Sequence, residues 1–227
     1  MALDDQSRLR EEDPYTDVWA ELSSNRIVVH SSRFEMDLNR PIEKAVYLDP
    51  SDAWGLRVWN ALLPQDVLHE SRLKWQSFYD DLALYLDELQ AEFGQIVVLD
   101  IHSYCHRRGG PEAAPDDPAL NPEINVGTGS VDVGRWTPLV DRFIGELRDF
   151  DAGDGKRFDV RENVKFTGGH FSRWINRRYG SDACALAIEV KKIFMDEWTG
   201  ELDPARLETV KGALASTLAG LCEEVAK

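Results

Sequence analysis

The chain has 227 residues, 43% of them hydrophobic, which is enough for one substantial core and demands no second domain. A formal charge of −15, from 41 acidic against 26 basic residues, argues against nucleic acid or an anionic membrane as partner, because both need a net basic face. Cys105, Cys184 and Cys222 are an odd set at no ligand-like spacing, the start Met1-Ala-Leu-Asp-Asp-Gln is no signal peptide, and no run approaches the roughly 18 apolar residues of a membrane span. A reducing, cytoplasmic setting fits, with the oligomeric state left open.

Taken in chain order, the Arg26-Ile-Val-Val29 run is short, apolar and β-branched, and predicts a strand over 26–31. A long helix over 67–93 follows, with Trp75, Phe78, Leu82, Leu86, Leu89 and Phe93 at three- and four-residue steps and Gly94 to end it. Gln95-Ile-Val-Val-Leu99 leads as a strand into Asp100-Ile101-His102-Ser103. Residues 107–122 are too rich in glycine and proline for regular structure and predict a long functional or mobile loop. Beyond it lie the glycine-bearing segment Asn125-Val-Gly-Thr-Gly-Ser130, a helix from about Trp136 to Phe150, and the Gly168-Gly169 pair ahead of a short helix. The 184–190 run is a third strand. A last helix over 203–226 has Asp203 as N-cap, Pro204 at its first position and the stripe Leu207, Val210, Leu214, Leu218, Leu221, Val225. Alternation of this kind predicts one three-layer α/β domain over 1–227 with a mixed, largely parallel sheet, its ligands beyond the carboxyl ends of the strands.

His102 and Glu189 both stand at such ends. Hydrolysis of an amide at neutral pH calls for a Lewis acid, a general base and a cation where the oxyanion forms. His102 is a candidate zinc ligand with Asp100 or backbone orienting its other nitrogen, against the plain reading of a hydrogen-bonded core histidine. Glu189 is costly to bury unless functional or paired, Lys191 and Lys192 being the obvious partners. Arg33 and Arg40 are candidate carboxylate clamps, or surface partners of Glu35 and Asp37. Gly168 and Gly169 either bring backbone N–H groups to a ligand or make a tight turn.

In order along the chain, Glu12-Asp13, Ser32-Arg33-Phe34, Asp37-Leu38-Asn39-Arg40, Asp100-Ile-His102-Ser103, Gly168-Gly169 and Ile188-Glu189 resemble the N-formylglutamate amidohydrolase family, similar in fold to zinc carboxypeptidases and aspartoacylase. The resemblance implies a phosphorylase/hydrolase-like fold and a zinc-dependent hydrolase that removes a small acyl group from an N-acyl amino acid such as N-formyl-L-glutamate. It implies His102 as zinc ligand and Asp13 as the second. Asn39 and Arg40 hold the substrate carboxylate with Gly168 and Gly169 beside them, Arg33 polarises the scissile carbonyl, and Glu189 acts as base and then acid. The family's upstream histidine segment has no counterpart before Arg33, where His30 is a weak substitute, so the set expected here is one ligand short of a catalytic zinc site. A carboxypeptidase or other deacylase, and a carboxylate-binding descendant without turnover, are the competing readings.

Overall fold

Side-chain alternation along the strands decides which residues meet which helical layer, and so where polar groups can gather. The computed structural model describes residues 1–227. Four strands, β1 (Ile96–Tyr104), β2 (Ile124–Gly127), β3 (Val160–Glu162) and β4 (Ala183–Lys191), form one mixed sheet in the order β1-β4-β2-β3. β1 and β4 are parallel, as are β2 and β3, while β2 runs antiparallel to β4. The helices are α1 (Asp5–Glu11), α2 (Asp17–Ala20), α3 (Gln65–Phe93), α4 (Val133–Asp149), α5 (His170–Tyr179), α6 (Pro204–Ser216) and α7 (Leu218–Val225).

On β4 the even positions Cys184, Leu186, Ile188 and Val190 join the larger core, with Trp136 and Phe143 of α4, Leu207 and Leu214 of α6 and Leu221 of α7. The odd positions Ala183 and Ala185 face the opposite layer, with Trp75, Tyr79 and Leu82 of α3 and Ile175 of α5. Helices on both faces make the three layers that the strand and helix alternation predicts. Period-two alternation then puts Ala187 and Glu189 on the α3/α5 face, and the same logic puts Asp100 and His102 of β1 and Asn125 and Gly127 of β2 there.

That face is built for close approach. Its alanines and Gly127 leave room for α5, and a Cβ on Gly127 would fall 2.7 Å from the Gly168 nitrogen. β2 ends opposite Ala187, so the backbone of Ala185 has no strand partner on that side. The buried Asn176 side chain supplies one, accepting from Ala185 N at 2.8 Å and donating to Ala185 O at 3.0 Å.

Three expectations need correction. Residues 26–31 form no strand: no backbone hydrogen bond reaches them, Ile27 and Val29 are 44% and 49% exposed, and β1 remains the sheet edge. At the end of that edge the Ser103 amide is taken by the Asp13 carboxylate rather than by a strand, and a cavity of about 1050 Å³ is lined both by β1 and by 26–30. The helix expected over 203–226 is two helices, interrupted at the fully buried Thr217, whose amide and hydroxyl both turn back to Leu214 O. The 107–122 loop is tied at its base, Glu197 accepting from the His106 and Arg107 amides at 2.8 and 2.6 Å, and it contains a short 3₁₀ turn over Pro118–Leu120. The α3 stripe is as expected except that Tyr79 is a buried member and Phe93 is 59% exposed.

Asn176→Ala should lower stability by about 2–4 kcal/mol, because two buried backbone groups lose their partner at about 1–3 kcal/mol each. Thermal denaturation of the variant against wild type measures it, an unchanged midpoint being incompatible with this role.

Candidate active site

Strand register assembles the site. His102 of β1 is paired with Glu189 of β4, and Glu189 with Asn125 of β2, so three polar side chains stand side by side on one face near the carboxyl end of β1. Asp100, two residues before His102, lies on the same face.

His102 sits between two carboxylates. Its Nε2 is 2.9 Å from Asp100 Oδ1, and its Nδ1 is 3.2 Å from Asp13 Oδ2. Burial works against a charged ring here, but Asp100 and Asp13 outweigh it and raise the His102 pKa well above its ordinary value. Burial likewise works to raise the Asp13 pKa, and His102, Arg33 and Lys192 more than reverse it, holding Asp13 ionised. Asp13 is fixed by its other oxygen, which accepts the Ser103 amide at 2.7 Å. Its chain is clamped by the buried Lys192 ammonium, which donates to Glu12 O at 2.8 Å and to Arg10 O.

Glu189 has the opposite fate. Desolvation raises its pKa to about 8, helped by Asp13 and Asp100 and resisted by His102 and Arg33. No ion pair joins it to Lys191 or Lys192, so the salt-bridge alternative for this carboxyl does not hold.

A second cluster is organised by Asp37, 3% exposed. It accepts from Arg33 Nη2 at 2.8 Å, from Arg33 Nε at 3.2 Å, from the Asn39 amide at 2.8 Å and from the Tyr47 hydroxyl. Burial would raise the Asp37 pKa; these donors lower it instead. The pairing of Arg33 with Asp37 is therefore real, but it is a buried brace, and it leaves Arg33 Nη1 4.0 Å from Asp13. Asn39 connects the clusters: its Nδ2 stands 3.3 Å from His102 Nε2, and its Oδ1 accepts the Phe171 amide at 3.0 Å. Gly169 is where it is because a Cβ there would overlap the Asn39 carboxamide, and Gly168 has φ +109°. Asn125, fully buried, accepts from the Val164 and Lys165 amides at 3.1 and 2.9 Å and so carries the loop before Gly168 to the sheet.

The structure thus brings together Asp13, Arg33, Asn39, His102 and Glu189, with Gly168 and Gly169 against Asn39. Arg40 stands on the flank, its guanidinium 5.5 Å from the Tyr47 ring centre. His30 is exposed and makes no hydrogen bond or ion pair with Asp13, Asp100 or His102, although it lines the same cavity. Sequence reading missed the organising roles of Asp37, Tyr47, Asn125 and Lys192. Lys192 alone carried a signal, a lysine inside the apolar run that ends β4.

His102 Nδ1 and Asp13 Oδ2, 3.2 Å apart, have about the separation of two ligands on one tetrahedral zinc ion with bonds near 2.0–2.1 Å. No group of three or more histidine, cysteine, aspartate or glutamate side chains converges to hold a metal ion. These residues supply a pair of donors and not a complete zinc site.

A largely buried carboxyl beside a histidine fixed between two carboxylates, with arginine near by, at strand ends of a three-layer α/β fold, is an arrangement of the hydrolase type. A family model described as N-formylglutamate amidohydrolase matches residues 1–195, and the chain belongs to that amidohydrolase family. The fold is similar to the crystal structure of N-formylglutamate amidohydrolase from Ralstonia eutropha, with a TM-score of 0.72 and 17% identity over 98% of this chain and 85% of that one. It is also similar to the structure of a gene product from Agrobacterium tumefaciens, with a TM-score of 0.61 and 18% identity over 100% of this chain and 84% of that one. Comparison with curated proteins gave no match. No helix is long and apolar enough to cross a membrane.

Glu189 binds a proton in the folded state that the unfolded chain has already released between pH 4.5 and about 8, so it makes stability fall as pH rises through that window. Glu189→Gln should flatten this fall, as read from denaturant midpoints at pH 5, 6.5 and 8; parallel curves for both proteins would contradict the raised pKa.

Proposed function

We propose that this chain hydrolyses a small N-acyl amide on an amino acid, of the N-formyl-L-glutamate type. The observation that carries the reading is the register pairing of Glu189 with His102 on the face that also holds Arg33 and Asn39. Glu189 takes a proton from the attacking water and returns it to the leaving nitrogen; a carboxyl with a pKa near 8 is suited to both halves of that transfer close to neutral pH. Arg33, braced by Asp37, presents positive charge to the carbonyl oxygen as it becomes an oxyanion. Arg40 receives one carboxylate of the substrate: Arg33 and Arg108 are paired with Asp37 and Glu11, whereas Arg40 has no carboxylate partner and its guanidinium donates to the Asp52 carbonyl, at 3.5 Å. Asn39 and the Gly168 and Gly169 amides line the remainder of the substrate's polar contacts.

Zinc enters this proposal only through His102 and Asp13, the pair that would share the ion, with a third protein donor required from outside the set described. A bound zinc would supply a Lewis acid for the amide carbonyl. A second reading, binding of a carboxylate ligand without turnover, is favoured by one observation: both His102 nitrogens face carboxylates, which suits a charged ring and leaves no lone pair for a metal.

Formate release from N-formyl-L-glutamate tests the first reading. Glu189→Gln should lower kcat by roughly 10²–10⁴, whereas Arg40→Ala should chiefly raise KM. Metal analysis after dialysis, with and without added zinc in the assay, tests the metal. L-glutamate binding with no formate release under either condition would favour the non-catalytic reading, and release of a different acyl group a related deacylase.

A further inference from the structure

Four residues of α5, Ser172, Ile175, Asn176 and Tyr179, are turned inward, and one of them does not fit a packing stripe. Ile175 is core, Asn176 bonds the Ala185 backbone and the Tyr179 hydroxyl donates to Asp87 at 2.7 Å. Ser172 is 1% exposed, yet its hydroxyl has no hydrogen-bond partner. Leaving such a group unpaired in the folded core is unfavourable, and a helical serine ordinarily avoids it by bonding the carbonyl four residues back.

Its position points to a purpose. A Cβ on Gly168 would come within 2.9 Å of Ser172 Oγ and 3.8 Å of the Ala187 Cβ, so the hydroxyl lies against the Gly168 backbone, over the strand residue two before Glu189. Gly168 and Gly169 precede the first turn of α5, a ten-residue helix, where the N–H groups and the positive end of the helix favour negative charge. Asn39 occupies the next two amides, His170 N at 3.1 Å and Phe171 N at 3.0 Å, and no backbone or side-chain acceptor meets the amides of Gly168 and Gly169. One buried hydroxyl and two amides, between the Asn39 carboxamide and Ala187, are donors with nothing to donate to.

Resting on the amidohydrolase reading above, we propose that Ser172 is a substrate-binding residue, its hydroxyl joining the Gly168 and Gly169 amides to hold a carboxylate oxygen of the substrate at the N-terminus of α5. Only glycine fits either position of this cradle: Gly168 by its positive φ and the nearby hydroxyl, Gly169 by the Asn39 carboxamide.

The probe is L-glutamate, a product of the proposed reaction, titrated calorimetrically into wild type, Ser172→Ala and Ser172→Thr, with thermal midpoints for all three. Removing an unpaired buried hydroxyl leaves the midpoint unchanged or higher. Affinity should fall about ten- to hundredfold in Ser172→Ala, the range for one hydrogen bond to a charged group, and stay near wild type in Ser172→Thr. Equal affinity of wild type and Ser172→Ala overturns the inference while leaving the amidohydrolase reading intact. A lower midpoint in Ser172→Ala with weakened binding that threonine does not restore makes the residue structural and also overturns it. If wild type neither binds L-glutamate nor releases formate from N-formyl-L-glutamate, the functional reading itself fails and this inference with it.

Discussion

The His102 ring held between Asp13 and Asp100 is the contact on which the site depends. Asp100 belongs to the same strand as the histidine, but Asp13 belongs to the chain ahead of the whole sheet, joined to it through the Ser103 amide and the Lys192 ammonium. Burying one carboxylate without a partner would cost several kcal/mol. A charged imidazole between two of them meets that cost and anchors the N-terminal segment to the strand end in one step. Burial is the main reason Glu189 holds its proton; the two carboxylates beside His102 add to it, and His102 and Arg33 oppose it.

Three asparagines, Asn125 and Asn176 buried and Asn39 half-buried, carry this local order into the fold. Asn39 ties the turn after Arg33 to the start of α5, Asn125 ties the loop before Gly168 to β2, and Asn176 replaces the strand that β4 lacks beyond the end of β2. A carboxamide offers both a donor and an acceptor without a net charge, so each can satisfy exposed backbone at an irregular junction without the desolvation penalty of an ion. The result is a site whose loops are positioned by short polar ties to a rigid sheet, with alanine and glycine on the site face giving them room.

The two arginine environments divide the labour that the cluster can perform. Arg33 is held in place by Asp37, which the Tyr47 hydroxyl also fixes, as suits the carbonyl-directed role proposed for it; Arg40 has no carboxylate partner, as suits the carboxylate capture proposed for it. Arg40 is half-buried without an acidic partner although acidic residues are abundant in a chain of net charge −15.

Local pattern determined much of this protein. The three- and four-residue steps of α3, the Asp203 and Pro204 start of α6, the apolar runs of β1 and β4, and the placement of His102 and Glu189 at strand ends all follow from periodicity, capping and the cost of a carboxyl at the end of an apolar run. The short motifs around Arg33, Asn39 and Gly168 identified the family. The same local rules misread 26–31, since a β-branched run becomes a strand only when an edge accepts its hydrogen bonds, and no backbone hydrogen bond joins this run to β1. Nor did they reveal the short strands β2 and β3, which pair with each other, or the interruption at Thr217, whose amide and hydroxyl turn back to Leu214. Only the tertiary structure decided that Asp37 braces Arg33, that Lys192 clamps the carbonyls before Asp13, and that the Ser172 hydroxyl is left free beside Gly168. Each is a property of what surrounds a polar atom once water has been excluded, and a sequence specifies the atom without its surroundings.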